Sequence, residues 1–161
     1  MTTKVIRFAN FLSTRTHVSF ADMMELFSVL NKTNSVIAGS SVLAFMRADA
    51  GLKSFRYKDI DNFTQNLDPI KDLLVRLGFV TTIVVNHYND TMNGIVDVHD
   101  VYDKNLNVLF QVVVLSKDPR SYIEREVDID ICSKSFDGKE FYSKVPVEQD
   151  HFNTTIVGRD H

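Results

Sequence analysis

Aspartates recur in this chain in pairs separated by one apolar residue: Asp59 and Asp61 in "KDIDNF", then Asp128 and Asp130 in "VDIDI". Residues two apart on an extended strand share a face, so Asp59 and Asp61 point their carboxylates to one side and together suit one or two hard divalent cations. Mg2+ or Mn2+ held this way clamps a nucleoside triphosphate, stabilises the charge shifting onto a leaving pyrophosphate and activates an attacking hydroxyl. The same spacing also describes an ordinary solvent-facing strand edge. The second pair repeats the pattern on a later expected strand and offers the third carboxylate that a two-ion site needs, from Asp128 or from its rival Asp130.

Upstream, "SVIAGSSVLAFM" sets Gly39, Ser40 and Ser41 between an apolar run and a helical pattern. A glycine lets backbone approach a ligand closely, and the start of the following helix presents unpaired N–H groups and the positive end of its dipole, which favour phosphate. A serine hydroxyl adds one more donor; the plainer reading is that Ser40 or Ser41 only caps the helix. Lys53, Arg56 and Lys58 precede the aspartates as candidate phosphate contacts, and Tyr57 as a candidate base platform, although basic loop residues are commonly just solvated. "DVHDVYD" places Asp97 and His99 on one strand face with Asp100 opposite, and His87 nearby; this is either a transition-metal site or a solvated hairpin. Cys132, alone in the chain, reads as a small buried hydrophobe. Neither serine lies in a nucleophile-elbow pattern.

The elements that must position these groups follow from punctuation and period. The first dozen residues, with Lys4 and Arg7 among Val5, Ile6, Phe8, Phe11 and Leu12, fit a short helix or an extended arm. Ser19 caps a helix whose Phe20, Met23, Met24, Phe27 and Leu30 form an apolar stripe. Val36 to Ala38 read as a buried strand, Ser40 to about Asp49 as a helix ended by Gly51, and "DIDNF" as a strand with Ile60 and Asn62 opposite the acids. Leu67 to Leu77 form a helix with Pro69 in its first turn and Gly78 past its end. "FVTTIVVNHY", "GIVDVHDVY" and "NVLFQVVVLS" predict an antiparallel meander, Asp118 and Pro119 a short helical turn, "EVDIDICS" a strand, and Asp137–Gly138 a hairpin turn. The stretch from Val145 to His161 carries no assignment. The expected fold is α+β: a mixed, mostly antiparallel sheet with helices packed on one face.

Taken together, "VIAGSS", a helix, "KDIDNF" and a later "VDIDI" resemble the nucleotidyltransferase superfamily of the DNA polymerase beta type. That family's pattern is apolar-Gly-Gly/Ser, a helix, Asp-apolar-Asp/Glu on the next strand, and another acid between apolar residues on a later strand. "FRYKDID", "LFQVVVL", "VDIDIC" and "FDGKEFY" look especially like predicted nucleotidyltransferases of large viruses and phages. The resemblance covers roughly residues 36–142. It implies that Gly39, Ser40, Ser41 and Lys58 meet the triphosphate, that Asp59 and Asp61 bind both ions, and that Asp128 or Asp130 completes the set. The implied activity is transfer of a nucleotidyl group from an NTP to an acceptor hydroxyl on an RNA end, a protein or a small molecule. A non-catalytic module that keeps the fold and binds a host or viral protein is the alternative. Asn62 stands where the family commonly has an aliphatic residue, and the spacing from Ser40 to Asp59 is longer than usual.

With 161 residues, 44% hydrophobic and 24% charged, the chain suits a single domain with a core at about 19–142 and arms at both ends. No run approaches the roughly 20 apolar residues of a membrane span and the N-terminus has no signal-like block, so a soluble cytoplasmic protein without membrane partners is expected, in the host cytoplasm if viral. A formal charge of −3 disfavours a broad basic face for long nucleic acid.

Overall fold

A computed structural model describes residues 2–83, 94–126 and 133–149. Among these residues the architecture is α+β, with five α-helices and an open, mostly antiparallel seven-stranded sheet. The first residues resolve as a helix, α1 (Thr3–Thr16): the Thr2 side chain accepts from the Val5 N–H at its start, and His17 ends it in a left-handed conformation. Val5, Phe8, Ala9 and Leu12 bury one face of α1, so the core reaches beyond 19–142 and the N-terminal segment belongs to it rather than forming an arm. Helix α2 (Phe20–Lys32) begins as expected, the Ser19 side chain accepting from the Asp22 N–H.

Strand β1 (Val36–Ala38), helix α3 (Ser40–Asp49), strand β2 (Ile60–Thr64) and helix α4 (Leu67–Arg76) follow. The meander is β3 (Val80–Ile83), β4 (Ile95–Tyr102) and β5 (Val108–Leu115), each antiparallel to the next. Helix α5 (Pro119–Glu126) is longer than the single turn expected, and β6 (Ser135–Phe136) and β7 (Phe141–Tyr142) form the short hairpin about Asp137–Gly138. The sheet order is β3-β4-β5-β2-β1-β6-β7, with β2 and β5 parallel and every other neighbour antiparallel.

Period-two alternation separates the two faces. Ile37, Ile60, Val101, Phe110, Val112 and Phe136 join α1, α2, α3 and α4 in the main core. Within it Phe8 meets Phe27, Phe45, Phe136 and Phe141 with ring centroids 4.8 to 5.6 Å apart. The expectation of helices on one face needs a correction: α5 packs on the other. Its Ile123 buries against Val36 and Ala38, and its Tyr122 stacks on Phe63 at 6.0 Å. Asn34 ties this helix to the start of β1, donating to Asp118 at 2.7 Å, while Asp118 accepts from the Ser121 N–H at 3.0 Å. No helix among the described residues is long and apolar enough to cross a membrane.

Candidate functional site

Gly39 is the residue that turns β1 into α3. Its backbone, at φ 88° and ψ −145°, lies in a region essentially reserved for glycine. The turn is pinned on both sides: the Gly39 N–H donates to the Lys134 carbonyl at 3.3 Å, and its own carbonyl accepts from the Leu43 N–H at 3.1 Å. Gly39 is the N-cap, so neither Ser40 nor Ser41 caps the helix. Ser40 is half-buried in the first turn, and Ser41 is fully buried with its hydroxyl unpartnered among the described residues.

The glycine and the second aspartate meet. A Cβ built on Gly39 falls 3.2 Å from Oδ2 of Asp61, because antiparallel pairing sets Ala38 opposite Asp61. The lack of a side chain at position 39 is therefore what leaves room for this carboxylate beside the start of α3. Asp59 lies against Asp61 closely enough for their carboxyls to hydrogen-bond. Burial, then the charge of Asp59, that hydrogen bond and the charge of Asp100 push Asp61 up to about 8. A second acid this close, in a half-buried corner, favours the neutral form of Asp61.

The face of the sheet on which α5 packs carries two parallel rows. Val36, Phe63, Val113 and Val98 are cross-strand partners, apolar and beneath α5; one step along, Ala38, Asp61, Gln111 and Asp100 form a row that is polar from Asp61 onward. Gln111 donates to Asp100 at 3.0 Å, which fixes that side chain in the row. Asp100 is the acid that the local pattern does not place: alternation puts it opposite His99, but only the β2–β5–β4 order brings it toward Asp61.

The remaining described candidates disperse. Lys58 is exposed, and its carbonyl accepts from Arg15 at 3.3 Å. Asp128, Asp130, His87 and Cys132 lie outside the described residues. His99 is buried on the helix-covered side, where burial lowers its pKa most, Lys71 adds to that and Asp97 opposes it; Asp97 itself is exposed. Among the described residues no group of three or more His, Cys, Asp or Glu gathers to hold a metal ion.

Arg47 is a residue whose role the apolar pattern of α3 hides. It is fully buried, and its Nε donates to the Lys53 carbonyl at 2.6 Å, while Ser54 donates to the Ala44 carbonyl at 2.7 Å. These bonds fasten the 50–58 loop to α3 and so set the entry of β2. No protein-family model matches the chain, and no curated protein matches it either.

Proposed function

We propose that the chain is a metal-dependent nucleotidyltransferase of the DNA polymerase beta type. The observation that carries the reading is the meeting of the Gly39 turn with Asp61, with Asp59 alongside. The donor set fits a hard divalent cation: two carboxylates, all oxygen, whose mutual repulsion such a cation would remove. Asp59 and Asp61 would hold Mg2+ or Mn2+, and Asp128 or Asp130 would add the third carboxylate. The bound ions supply Lewis-acid stabilisation of the triphosphate and of the leaving pyrophosphate.

The chain's own contribution is placement. Gly39 keeps the corner open, and the start of α3 offers N–H groups not yet in the intrahelical ladder to phosphate oxygens. Asp61 would hold such a cation only without its proton, since ion binding and protonation compete for the same oxygens. The acceptor hydroxyl belongs to an RNA end, a protein or a small molecule, and the formal charge of −3 favours the acceptors that need no long basic track.

Calorimetry with ATP, GTP, CTP and UTP in Mg2+ or Mn2+, comparing wild type with the Asp59→Ala/Asp61→Ala variant, tests the proposal. Metal-dependent binding by the wild type and loss of that metal-dependent part in the variant are expected. A metal-dependent part that is equal in both, or absent from both, removes the site.

A further inference from the structure

A cavity of about 430 Å3 lies immediately upstream of the carboxylates, between the C-terminal turn of α1 and the loop entering β2. Phe11, Arg15, His17, Phe55, Arg56 and Tyr57 line it. Its lining contains no acid, in a chain whose net charge is −3.

Phe11 and Tyr57 pack at 5.6 Å between ring centroids with their planes 35° apart. The Arg15 guanidinium sits 6.0 Å from the Tyr57 ring centroid and donates to the Lys58 carbonyl, so its charge is held at the cavity wall rather than left free in solvent. Two donors of these lining side chains, Nε of Arg15 and the hydroxyl of Tyr57, are buried and without an acceptor among the described residues. Burial raises the Tyr57 phenol well above its ordinary value, so it remains a donor at neutral pH. Buried donors left unmet are costly, and the oxygens of a phosphate ester are the acceptors that arginine meets best. Arg56, exposed at the rim, adds a second cation. His17 has another neighbour, since its charge acts on the Asp103 carboxylate; no share of anion binding is assigned to it.

We propose that this cavity binds a nucleoside phosphate, with the base against the half-buried rings of Phe11 and Phe55 and the phosphate on Arg15 and Arg56. The ligand is either a free nucleotide or the terminal nucleotide of a single strand, which present the same chemistry. Tyr57 and Asp59 are two residues apart, so their Cα atoms are separated by at most ~7 Å. The cavity and the carboxylates are thus neighbours along the loop entering β2, but binding in the cavity needs neither the carboxylates nor a metal ion.

The test is calorimetry in EDTA with AMP, adenosine, inorganic phosphate and a short single-stranded oligonucleotide. AMP or the oligonucleotide is expected to bind, with adenosine and phosphate each at least ~10-fold weaker, and whichever of the first two binds more tightly identifies the source. Arg56→Gln, an exposed change whose fold is checked by thermal melting, should weaken binding ~10-fold, as should Arg15→Gln. Asp59→Asn/Asp61→Asn should not weaken it, since removing negative charge nearby can only favour a phosphate. The proposal is overturned by absence of binding, by phosphate alone matching AMP, by affinity that neither arginine variant moves, or by loss of binding in the aspartate variant. Binding in EDTA combined with no metal-dependent NTP binding would sink the carboxylate reading alone.

Discussion

The two faces of β2 deal with polar side chains in opposite ways. On the covered face Thr64 is fully buried yet satisfied, taking a hydrogen bond from Ser35 at 2.8 Å and donating to the Asn66 carbonyl at 3.0 Å. On the other face, Asp61 is pressed against Asp59 and carries a proton near neutrality. Satisfaction on the covered face is not complete, since Asn62 Oδ1 there has no partner among the described residues; what sets the other face apart is that it brings two carboxyls against each other, a conflict an external partner can resolve. The contrast separates a face that holds the molecule together from a corner that costs stability and is kept.

The largest expected effect lies on the covered face. Phe8→Ala removes a fully buried ring with four aromatic neighbours and should cost about 3–5 kcal/mol in urea unfolding. A loss below about 1 kcal/mol would break the assignment of stability to that face.

The corner should behave in the opposite sense. Asp61 sits at about 8 in the folded protein against an ordinary 3.8, so between those pH values the folded molecule holds a proton that the unfolded chain has released. Stability at this site is therefore undiminished below about pH 4, falls as pH rises toward about 8, and levels off above. Urea melts in EDTA at pH 5 and pH 8 should show a loss of a few kcal/mol in the wild type that Asp61→Asn lacks. Identical pH profiles for the two proteins would show that Asp61 is not in conflict.

Gly39→Ala tests both sides of the contrast. The backbone conformation penalises any side chain, and the new Cβ meets Oδ2 of Asp61 at 3.2 Å, so a cost of about 1–3 kcal/mol is expected. Metal-dependent NTP binding should fall with it, and unimpaired binding would separate the glycine from the site. The smallest effect expected is that of Ser35→Ala, about 1 kcal/mol by thermal or urea melts, because the hydrogen bonds of its hydroxyl to Thr64 and Thr33 are lost while Thr64 keeps its bonds to Asn66 and Thr33 its bond to the Val29 carbonyl.

Much of the fold is legible from local signals because single residues punctuate it. Ser19 starts α2, Gly39 ends β1, Pro69 and Gly78 bracket α4, and Asp137–Gly138 turns the last hairpin. The first segment resists a choice between helix and arm because Ile6 and Phe11 blur the stripe of Val5, Phe8 and Leu12. Tertiary burial of that stripe settles it. The side of the sheet taken by α5 is not a local property at all, since it depends on Ile123 finding Val36 and Ala38. Of the candidate site, the shared face of Asp59 and Asp61 follows from strand period, whereas the row through Gln111 to Asp100 follows from strand order. Arg56 and Tyr57 are legible in "FRYKD" as candidate phosphate and base contacts, whereas the cavity they line needs α1 folded across the loop.

The hydrogen bond from Gly39 to the Lys134 carbonyl, together with the pairing of β1 to β6, has a consequence for synthesis. A nascent chain carries both Gly-Ser and Asp-Ile-Asp long before the strand that closes β1 has left the ribosome. Until Lys134 and Phe136 emerge, β1 lacks one neighbour and the glycine turn lacks one of its two pins. A polypeptide truncated just short of that point would contain every residue of the β1–β2 corner and still leave its turn unanchored, so the corner should be among the last parts of the molecule to take shape.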